Sequence, residues 1–194
     1  MAETVFDKMI RQLKDLRNLA KAGAMAVEYI RSHITHGNFS PLSPVTAAYR
    51  GAGKPLQDTR VMLQSITYQV TGANTVTVGT TAVQARLMND GGVVTAKKKW
   101  LFIPGPGMRG WMRKYGPGIG AVLDAIKARD NYVFRKGRTI CYRAKHKRAK
   151  DKVAFYLCHQ ITVPARPFFY LTDKEVNKIM EVCTGEIVWC DDFV

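Results

Sequence analysis

The clearest structural signal in the chain lies at residues 66–80, which read ITYQVTGANTVTVGT. Residues 66–70 and 75–80 are rich in β-branched side chains, which favour extended strands. The sequence Gly72-Ala73-Asn74 between them has the composition of a tight turn. The stretch therefore predicts a β-hairpin, in which Val76 and Val78 share one face.

A long helical pattern precedes this hairpin. Apolar residues recur at steps of three and four from Thr4 to about Arg31, which predicts an amphipathic helix. Gly37-Asn38 is expected to end the helical region. The predicted helix is longer than a domain of this size needs, so part of its apolar face is expected to pack on a neighbouring subunit.

A second helix is predicted near the C-terminus. Thr172 and Glu175 have the spacing of a capping box, in which each residue satisfies a free backbone N–H of the first turn. The helix is expected to end at Gly185. The residues expected in its buried stripe are Val176, Ile179, Met180 and Cys183.

Several shorter elements complete the prediction. A short helix is expected within residues 56–65, with Asp58-Thr59 as its cap. Glycine and proline clusters at 104–107 and 116–118 are expected to mark the boundaries of a loop, and a helix is expected at 119–129. The remaining strand-like segments are 93–95, 99–103, 132–134, 139–142, 153–163 and 187–190.

These elements predict an α+β fold. A long N-terminal helix and a C-terminal helix are expected to pack on a mostly antiparallel sheet. The length of 194 residues fits one domain spanning 1–194, and a basic, β-rich insertion is expected at about 93–159.

The positive charge is concentrated in the middle of the chain. The formal net charge is +15, and residues 97–150 contain sixteen Lys or Arg residues against only Asp124 and Asp130. That section therefore has a charge of +14 and the rest of the chain is nearly neutral. The neutral framework and the basic section need separate explanations.

Aromatic residues are interspersed with these charges, as on surfaces that bind phosphates and stack on bases or sugars. Three interpretations remain open: contact with DNA, docking on an acidic protein, and a solvated surface that keeps the chain soluble. The spacing matches no base-reading motif, so contact with DNA would be independent of sequence. The candidate residues are Lys97, Lys98, Lys99, Arg109, Arg113, Lys114, Arg135, Lys136, Arg138, Arg143, Lys145, Lys147, Arg148 and Lys150.

Other classes of protein are disfavoured. No apolar run is long enough to cross a membrane, and acidic residues near the start argue against a secretory signal. Four cysteines without C-x-x-C spacing favour reduced thiols in a cytoplasmic context over a disulfide scaffold or a zinc site. We therefore expect no metal site and no cofactor.

Catalytic signatures are equally weak. His33 and His36 resemble half of a metal site, but no carboxylate or cysteine cluster lies near them in the sequence. Cys158 and His159 are adjacent on a predicted strand and would point to opposite faces. Asp191-Asp192 lies close to the end of the chain. We expect that the protein is not an enzyme.

Four ordered blocks of the framework resemble a known family, the phage virion morphogenesis or tail completion proteins of the phage Mu group and related head–tail joining proteins. The first block follows the N-terminal helix and comprises Phe39-Ser40-Pro41-Leu42-Ser43 with Thr46. The second spans residues 55–66 and includes Asp58, Thr59 and Ser65-Ile66. Arg60 and Met62 depart from this second block, because the family usually has Gly and Leu there.

The third and fourth blocks follow in the same order. Val76-Thr77-Val78-Gly79-Thr80 leads to Ala85 and Gly91, as the family's Val-Gly-Thr strand leads to its Ala and Gly. Val163-Pro164-Ala165-Arg166-Pro167-Phe168-Phe169, followed by the capped helix, is the strongest match. The blocks cover about 1–92 and 160–184, and the basic section between them has no counterpart in the resemblance.

The resemblance implies a non-enzymatic structural protein of the virion. It would complete the phage tail at its head-facing end, or join head and tail at the neck, after assembly in the bacterial host cytoplasm. It would act as a homo-oligomeric ring, hexameric by resemblance, that contacts tail tube, tail terminator or neck proteins and the packaged DNA.

The rigid segment around Arg166 suits an intersubunit or partner contact, although an ordinary loop within its own chain explains it nearly as well. The candidate subunit or partner contacts are Asp58, Thr59, Pro164, Arg166, Pro167 and Phe168.

The alternative function is that of a sequence-independent nucleic-acid-binding protein, which would use the basic section.

Overall fold

The computed structural model describes residues 16–51, 53–72, 75–145 and 148–184. The helices in this part of the chain are α1 (Leu16–His36), α2 (Pro44–Arg50), α3 (Val61–Ser65), α4 (Ala85–Asp90), α5 (Met108–Tyr115), α6 (Ile119–Ala128) and α7 (Asp173–Thr184). The strands are β1 (Ile66–Gly72), β2 (Thr75–Thr80), β3 (Gly92–Thr95), β4 (Leu101–Pro104), β5 (Asn131–Lys136), β6 (Thr139–Ala144), β7 (Lys152–Cys158) and β8 (Gln160–Val163). Every strand pairing is antiparallel, and the chain is α+β, as predicted.

The chain divides into two compact units. The framework unit comprises residues 1–39, 59–90 and 165–194, and the basic unit comprises residues 40–58 and 91–164. The basic unit thus contains the whole of the insertion predicted at about 93–159. It also contains residues 40–58, which the sequence patterns attribute to the framework.

Helix α1 provides the main buried surface of the framework unit. Its buried residues recur at helical spacing, so that one stripe of the helix faces β1, β2 and α7. Arg31 on another side of α1 donates hydrogen bonds of 2.9 Å to the carbonyl oxygens of Leu63 and Ile66, which join the helix to the start of the hairpin. The buried residues of α1 are Leu19, Gly23, Ala26, Val27, Ile30 and Ile34.

The predicted hairpin is confirmed. Strands β1 and β2 pair with Tyr68 opposite Val78, and the register shifts between Val70 and Gly72, next to the turn. Ala73 and Asn74 of the predicted turn lie outside the described residues.

The main sheet of the basic unit has four strands in the order β4-β7-β6-β5, so that β7 is an inner strand. Ala154 is the extra residue of a bulge, since Ile140 pairs with Phe155 while Cys141 pairs with Val153. Helices α5 and α6 contribute Met108, Val122 and Ile126 to a fully buried core, together with Ala154 and Phe155 of β7. Strands β3 and β8 form a separate two-stranded sheet.

Several local predictions are confirmed. Helix α1 ends immediately before Gly37, and strands occur within 92–95, 101–104, 131–136 and 139–144. Helix α6 occupies 119–128, between the second glycine and proline break and β5. The capping box is also present, because the backbone N–H of Thr172 donates to Oε2 of Glu175 and the N–H of Glu175 donates to Oγ1 of Thr172.

The prediction for residues 56–65 is partly wrong. The helix is shorter, at 61–65, and Asp58-Thr59 does not cap it. Arg60 occupies the N-cap position with φ 57°, in the left-handed region, and it makes no side-chain capping bond. Asp58 forms ion pairs within the basic unit instead.

Two predictions in the basic unit are also wrong. Residues 153–163 form two strands rather than one, because the chain leaves the first sheet at Cys158 and enters the second at Gln160. The stretch between the two glycine and proline breaks is helix α5 rather than a loop.

The buried stripe predicted for α7 is wrong in part. Ile179 is buried, whereas Val176 and Met180 are exposed. Three other predictions fall outside the described residues: the part of the N-terminal helix before residue 16, the end of the C-terminal helix at Gly185, and the strand at 187–190. The side chain of Cys183 is not described either. No helix in the described part of the chain has the length and apolar character needed to cross a membrane.

Candidate nucleic-acid interface

The two faces of the sheet in the basic unit differ in what covers them. Val133, Ile140 and Tyr142 pack against the core that α5 and α6 complete. Burial there raises the pKa of the Tyr142 hydroxyl. Because side chains alternate along a strand, Tyr132 and Phe134 point to the opposite face, which we call the open face after the exposure of Tyr132. Cys141, opposite Phe134 on this face, is buried.

Cations and aromatic rings alternate on the open face. Arg143 lies directly opposite Tyr132 in the register, and its guanidinium is 5.8 Å from the centre of the Phe134 ring. Nζ of Lys145 is 5.7 Å from the centre of the Tyr132 ring, and Tyr132 is 52% exposed. Distances of this size are typical of cation–π contacts.

Carboxylates partly neutralise the charge of this open face. Asp151 lies 3.7 Å from Nζ of Lys136 and 3.8 Å from a guanidinium nitrogen of Arg143. Asp130 lies 3.3 Å from Nζ of Lys145. The open face therefore presents fewer uncompensated charges than its count of cations suggests.

A second group of rings and cations lies on α5 and at the end of α6. The rings of Trp111 and Tyr115 stack with their centres 5.7 Å apart. The guanidinium of Arg129 is 4.9 Å from the Trp111 ring and donates a 3.2 Å hydrogen bond to the Tyr115 hydroxyl. Lys114 lies 5.5 Å from the Tyr115 ring. These contacts fasten the end of α6 to α5.

A third group is centred on Trp100, between the exposed lysines 97–99 and β4. Its indole stacks on the His159 ring at 4.2 Å, and the guanidinium of Arg135 lies 5.3 Å from the same indole. Lys97, Lys98 and Lys99 are all exposed. Strand β5 and the connections β3–β4 and β7–β8 thus contribute to one group of side chains.

Arg109, one of the candidate contacts for DNA or an acidic partner, is occupied within the chain. It donates 2.7 Å hydrogen bonds to Oδ1 of Asp58 and to the carbonyl oxygen of Arg50. Nε of Arg50 also lies 3.7 Å from Oδ1 of Asp58. Arg109 and Asp58 therefore stabilise the basic unit by joining residues 50–58 to α5.

The remaining basic candidates that the structure describes lie at exposed positions. Arg113 and Lys114 are in the last turn of α5, and Arg138 is in the turn between β5 and β6. Arg148 and Lys150 precede β7, and Lys147 lies outside the described residues.

Comparison of the chain with protein-family models, curated proteins and solved structures finds no match.

The candidate contacts around Arg166 divide into buried and exposed residues. Arg166 is 7% exposed and Phe168 is fully buried, whereas Pro164, Pro167 and Thr59 are exposed. The backbone N–H of Arg166 donates to the carbonyl oxygens of Met88 and Asn89. The burial favours a role for Arg166 and Phe168 inside their own chain over a direct contact with a partner.

Asn89 holds the same segment from the other side. Its side-chain oxygen accepts hydrogen bonds of 3.0 Å from the backbone N–H groups of Phe168 and Phe169. The end of α4 and the segment before α7 are thereby fixed to each other inside the framework unit.

His33 contacts a carboxylate that is distant in the sequence. Its Nε2 lies 2.9 Å from Oε1 of Glu175, and its ring stacks on Tyr170 at 4.2 Å. Desolvation favours the protonated form of Glu175, but the hydrogen bonds from Thr172 and His33 outweigh it and lower the pKa of Glu175. Across the described ranges, no group of three or more His, Cys, Asp or Glu residues could hold a metal ion.

Two residues of the basic unit have contacts that the sequence patterns do not indicate. The ring of His159 supports Trp100, 59 positions earlier in the chain. Asp151 lies one residue beyond the section counted for charge, and it pairs with Lys136 and Arg143. Neither contact follows a spacing rule, since each depends on how strands pair.

Proposed function

We propose that the chain is a non-enzymatic structural subunit of a phage neck or of the head-facing end of a phage tail, acting as a ring of identical subunits. The framework unit would carry the contacts within the ring, and the basic unit would face an anionic neighbour. No catalytic step is assigned to the chain.

The observation that carries this proposal is the backbone of Arg60. The second sequence block departs from the family at this position, where glycine is usual. Arg60 nevertheless adopts φ 57°, a left-handed conformation that favours glycine and costs other residues about 1–2 kcal/mol. The backbone at position 60 thus has the conformation that favours the family's usual glycine, which supports the resemblance although the residue here is arginine.

The meeting of two other blocks gives further support. Asn89 lies between Ala85 and Gly91 of the third block, and it binds the backbone of Phe168 and Phe169 in the fourth. These hydrogen bonds therefore hold together two blocks that lie about 80 residues apart in the sequence.

The experiment is to disrupt the gene in a phage that encodes the chain and to examine the particles by electron microscopy. We expect separate heads and tails, and complementation with the wild-type chain should restore joined particles. Gold-labelled antibody should bind at the junction of head and tail. Normal particles without the chain, or label spread over the capsid, would overturn the proposal.

Sequence-independent binding of nucleic acid is the second candidate function. The basic unit favours it, because exposed cations and aromatic rings occur together on its four-stranded sheet and on the connections of that sheet. The test is binding of the purified chain to duplexes of unrelated sequence. Similar affinity for all of them, falling with salt, would support this function.

A further inference from the structure

A segment of three consecutive lysines in the basic unit is anchored at both ends on one residue. The backbone N–H of Ala96 donates a 2.8 Å hydrogen bond to the carbonyl oxygen of His159. Trp100, on the other side of residues 97–99, stacks on the ring of the same histidine. The lysine segment, defined as Lys97 to Lys99, therefore has fixed ends and exposed side chains.

The turn between β5 and β6 reaches the same end of the sheet. The backbone N–H of Leu157, two residues before His159, donates a 2.8 Å hydrogen bond to the carbonyl oxygen of Arg138. Arg135, at the other side of this turn, lies over the Trp100 indole. Arg135 and Arg138 therefore lie near the lysine segment. Together these five cations form what we call the lysine end.

The lysine end differs in its charge balance from Arg109 and from the cations of the open face, and it shares its lack of a described ion pair with exposed cations such as Arg113 and Arg148. Elsewhere in the unit, Arg109, Arg143, Lys136 and Lys145 have carboxylates within 4 Å. Within the described ranges, none of the five cations of the lysine end has such an ion pair. Cations without a carboxylate partner are the ones that release counterions when they bind a polyanion.

We propose that the lysine end binds the phosphodiester backbone of nucleic acid without reading its bases. This inference rests on the second candidate function and names the residues that would perform it. Lysine ammonium groups are compact point charges on flexible stems, which suit contact with a phosphate backbone without reading of the bases. His159 and Arg135 lie against the Trp100 ring, so Trp100 supports the segment rather than stacking on a base.

The test compares the triple variant K97A/K98A/K99A with the control K21A/K174A/K178A. The control removes the same charge from exposed lysines of the framework unit. Affinity for a fluorescent duplex of arbitrary sequence is measured by anisotropy from about 50 to 200 mM salt. The full chain is used, because deleting residues 97–150 would remove β4 to β6.

Binding is plotted as log K against log salt, and each phosphate contact contributes about 0.9 units to the slope. We therefore expect the slope of the K97A/K98A/K99A variant to be smaller than the wild-type slope by about 2–3 units. The control should lose less than about 1 unit of slope. The conservative variant K97R/K98R/K99R should keep the wild-type slope, which also shows that the segment tolerates substitution. Near-ultraviolet circular dichroism checks that each variant is folded.

Three results would overturn the inference. If K97A/K98A/K99A keeps the wild-type slope, as the control K21A/K174A/K178A does, the chain still binds nucleic acid, but the binding site lies elsewhere. If the wild-type chain binds no duplex even at low salt, the second candidate function fails together with the lysine end. If the chain binds polyglutamate more tightly than the duplex at equal charge concentration, and K97A/K98A/K99A removes that preference, the ligand of the lysine end is an acidic protein surface rather than a phosphate backbone.

Discussion

A guanidinium nitrogen of Arg109 lies 2.7 Å from Oδ1 of Asp58, and the two residues are 51 positions apart in the chain. The contact joins residues 50–58 to α5, inside the basic unit. Arg109 also donates to the carbonyl oxygen of Arg50, so one side chain satisfies both a carboxylate and a backbone acceptor. Asp58 belongs to a block that resembles the phage family, yet here it stabilises the basic unit.

We expect Arg109→Ala to lower the free energy of unfolding by about 1–2 kcal/mol, because it removes a charge-assisted bond and the bond to the Arg50 carbonyl. Asp58→Ala should cost about 0.5–1 kcal/mol, since both side chains are about a third exposed and solvent screens the pair. Urea unfolding of both single variants and the double variant would give the coupling energy. Arg113→Ala, on the exposed side of the same helix, is the control, and an equal loss there would contradict this role.

The left-handed backbone of Arg60 gives a second prediction. Glycine adopts φ 57° without a steric penalty, and Arg60 makes no side-chain capping bond that the substitution would remove. We therefore expect Arg60→Gly to raise the free energy of unfolding by about 0.5–1 kcal/mol. The measurement is thermal or urea unfolding, with Arg60→Ala as the control that keeps the penalty. Destabilisation by glycine would show that the arginine side chain outweighs the strain.

Local sequence patterns predict much of the framework because they report neighbours that are close in the chain. The hairpin at 66–80 and the Thr172 and Glu175 capping box depend on spacing alone, and both are present. The wrong cap at Asp58-Thr59 has the opposite cause: Asp58 binds Arg109, and no local pattern weighs a distant guanidinium against a nearby backbone N–H.

The basic unit is harder to predict, because its elements are short and its contacts are distant. Helix α5 has only eight residues between two glycine and proline breaks, too few for its periodicity to outweigh the loop signals. The division of residues 153–163 into two strands depends on which partners β7 and β8 find, not on their shared apolar alternation. The candidate cations are visible in the sequence, but their carboxylate partners emerge only from the fold.

The close approach of α1 to the hairpin gives a third prediction. A Cβ atom added at Gly23 would collide with Cδ2 of Tyr68 and lie 2.6 Å from Cγ of the same ring, too close to fit without movement. Alanine favours helices by about 1 kcal/mol over glycine, but crowding at this contact is expected to cost about 1–3 kcal/mol. Gly23→Ala should therefore lower the melting temperature. In the double variant with Tyr68→Ala, the alanine at position 23 should be neutral or stabilising, and persistent destabilisation would place the cause elsewhere.

The last prediction concerns acid stability and the carboxylate of Glu175. Its pKa is lowered, because the hydrogen bonds from Thr172 and His33 outweigh the desolvation that favours protonation. The folded state therefore binds this proton more weakly than the unfolded state does. The stabilisation is present above the ordinary pKa of 4.5 and is lost as pH falls through the lowered value. Measured by urea unfolding, the advantage of the wild-type chain over Glu175→Gln should be constant near neutral pH and shrink below about 4.5. A difference that does not change with pH would show that Glu175 acts only through the shape of its hydrogen bonds and not through its charge.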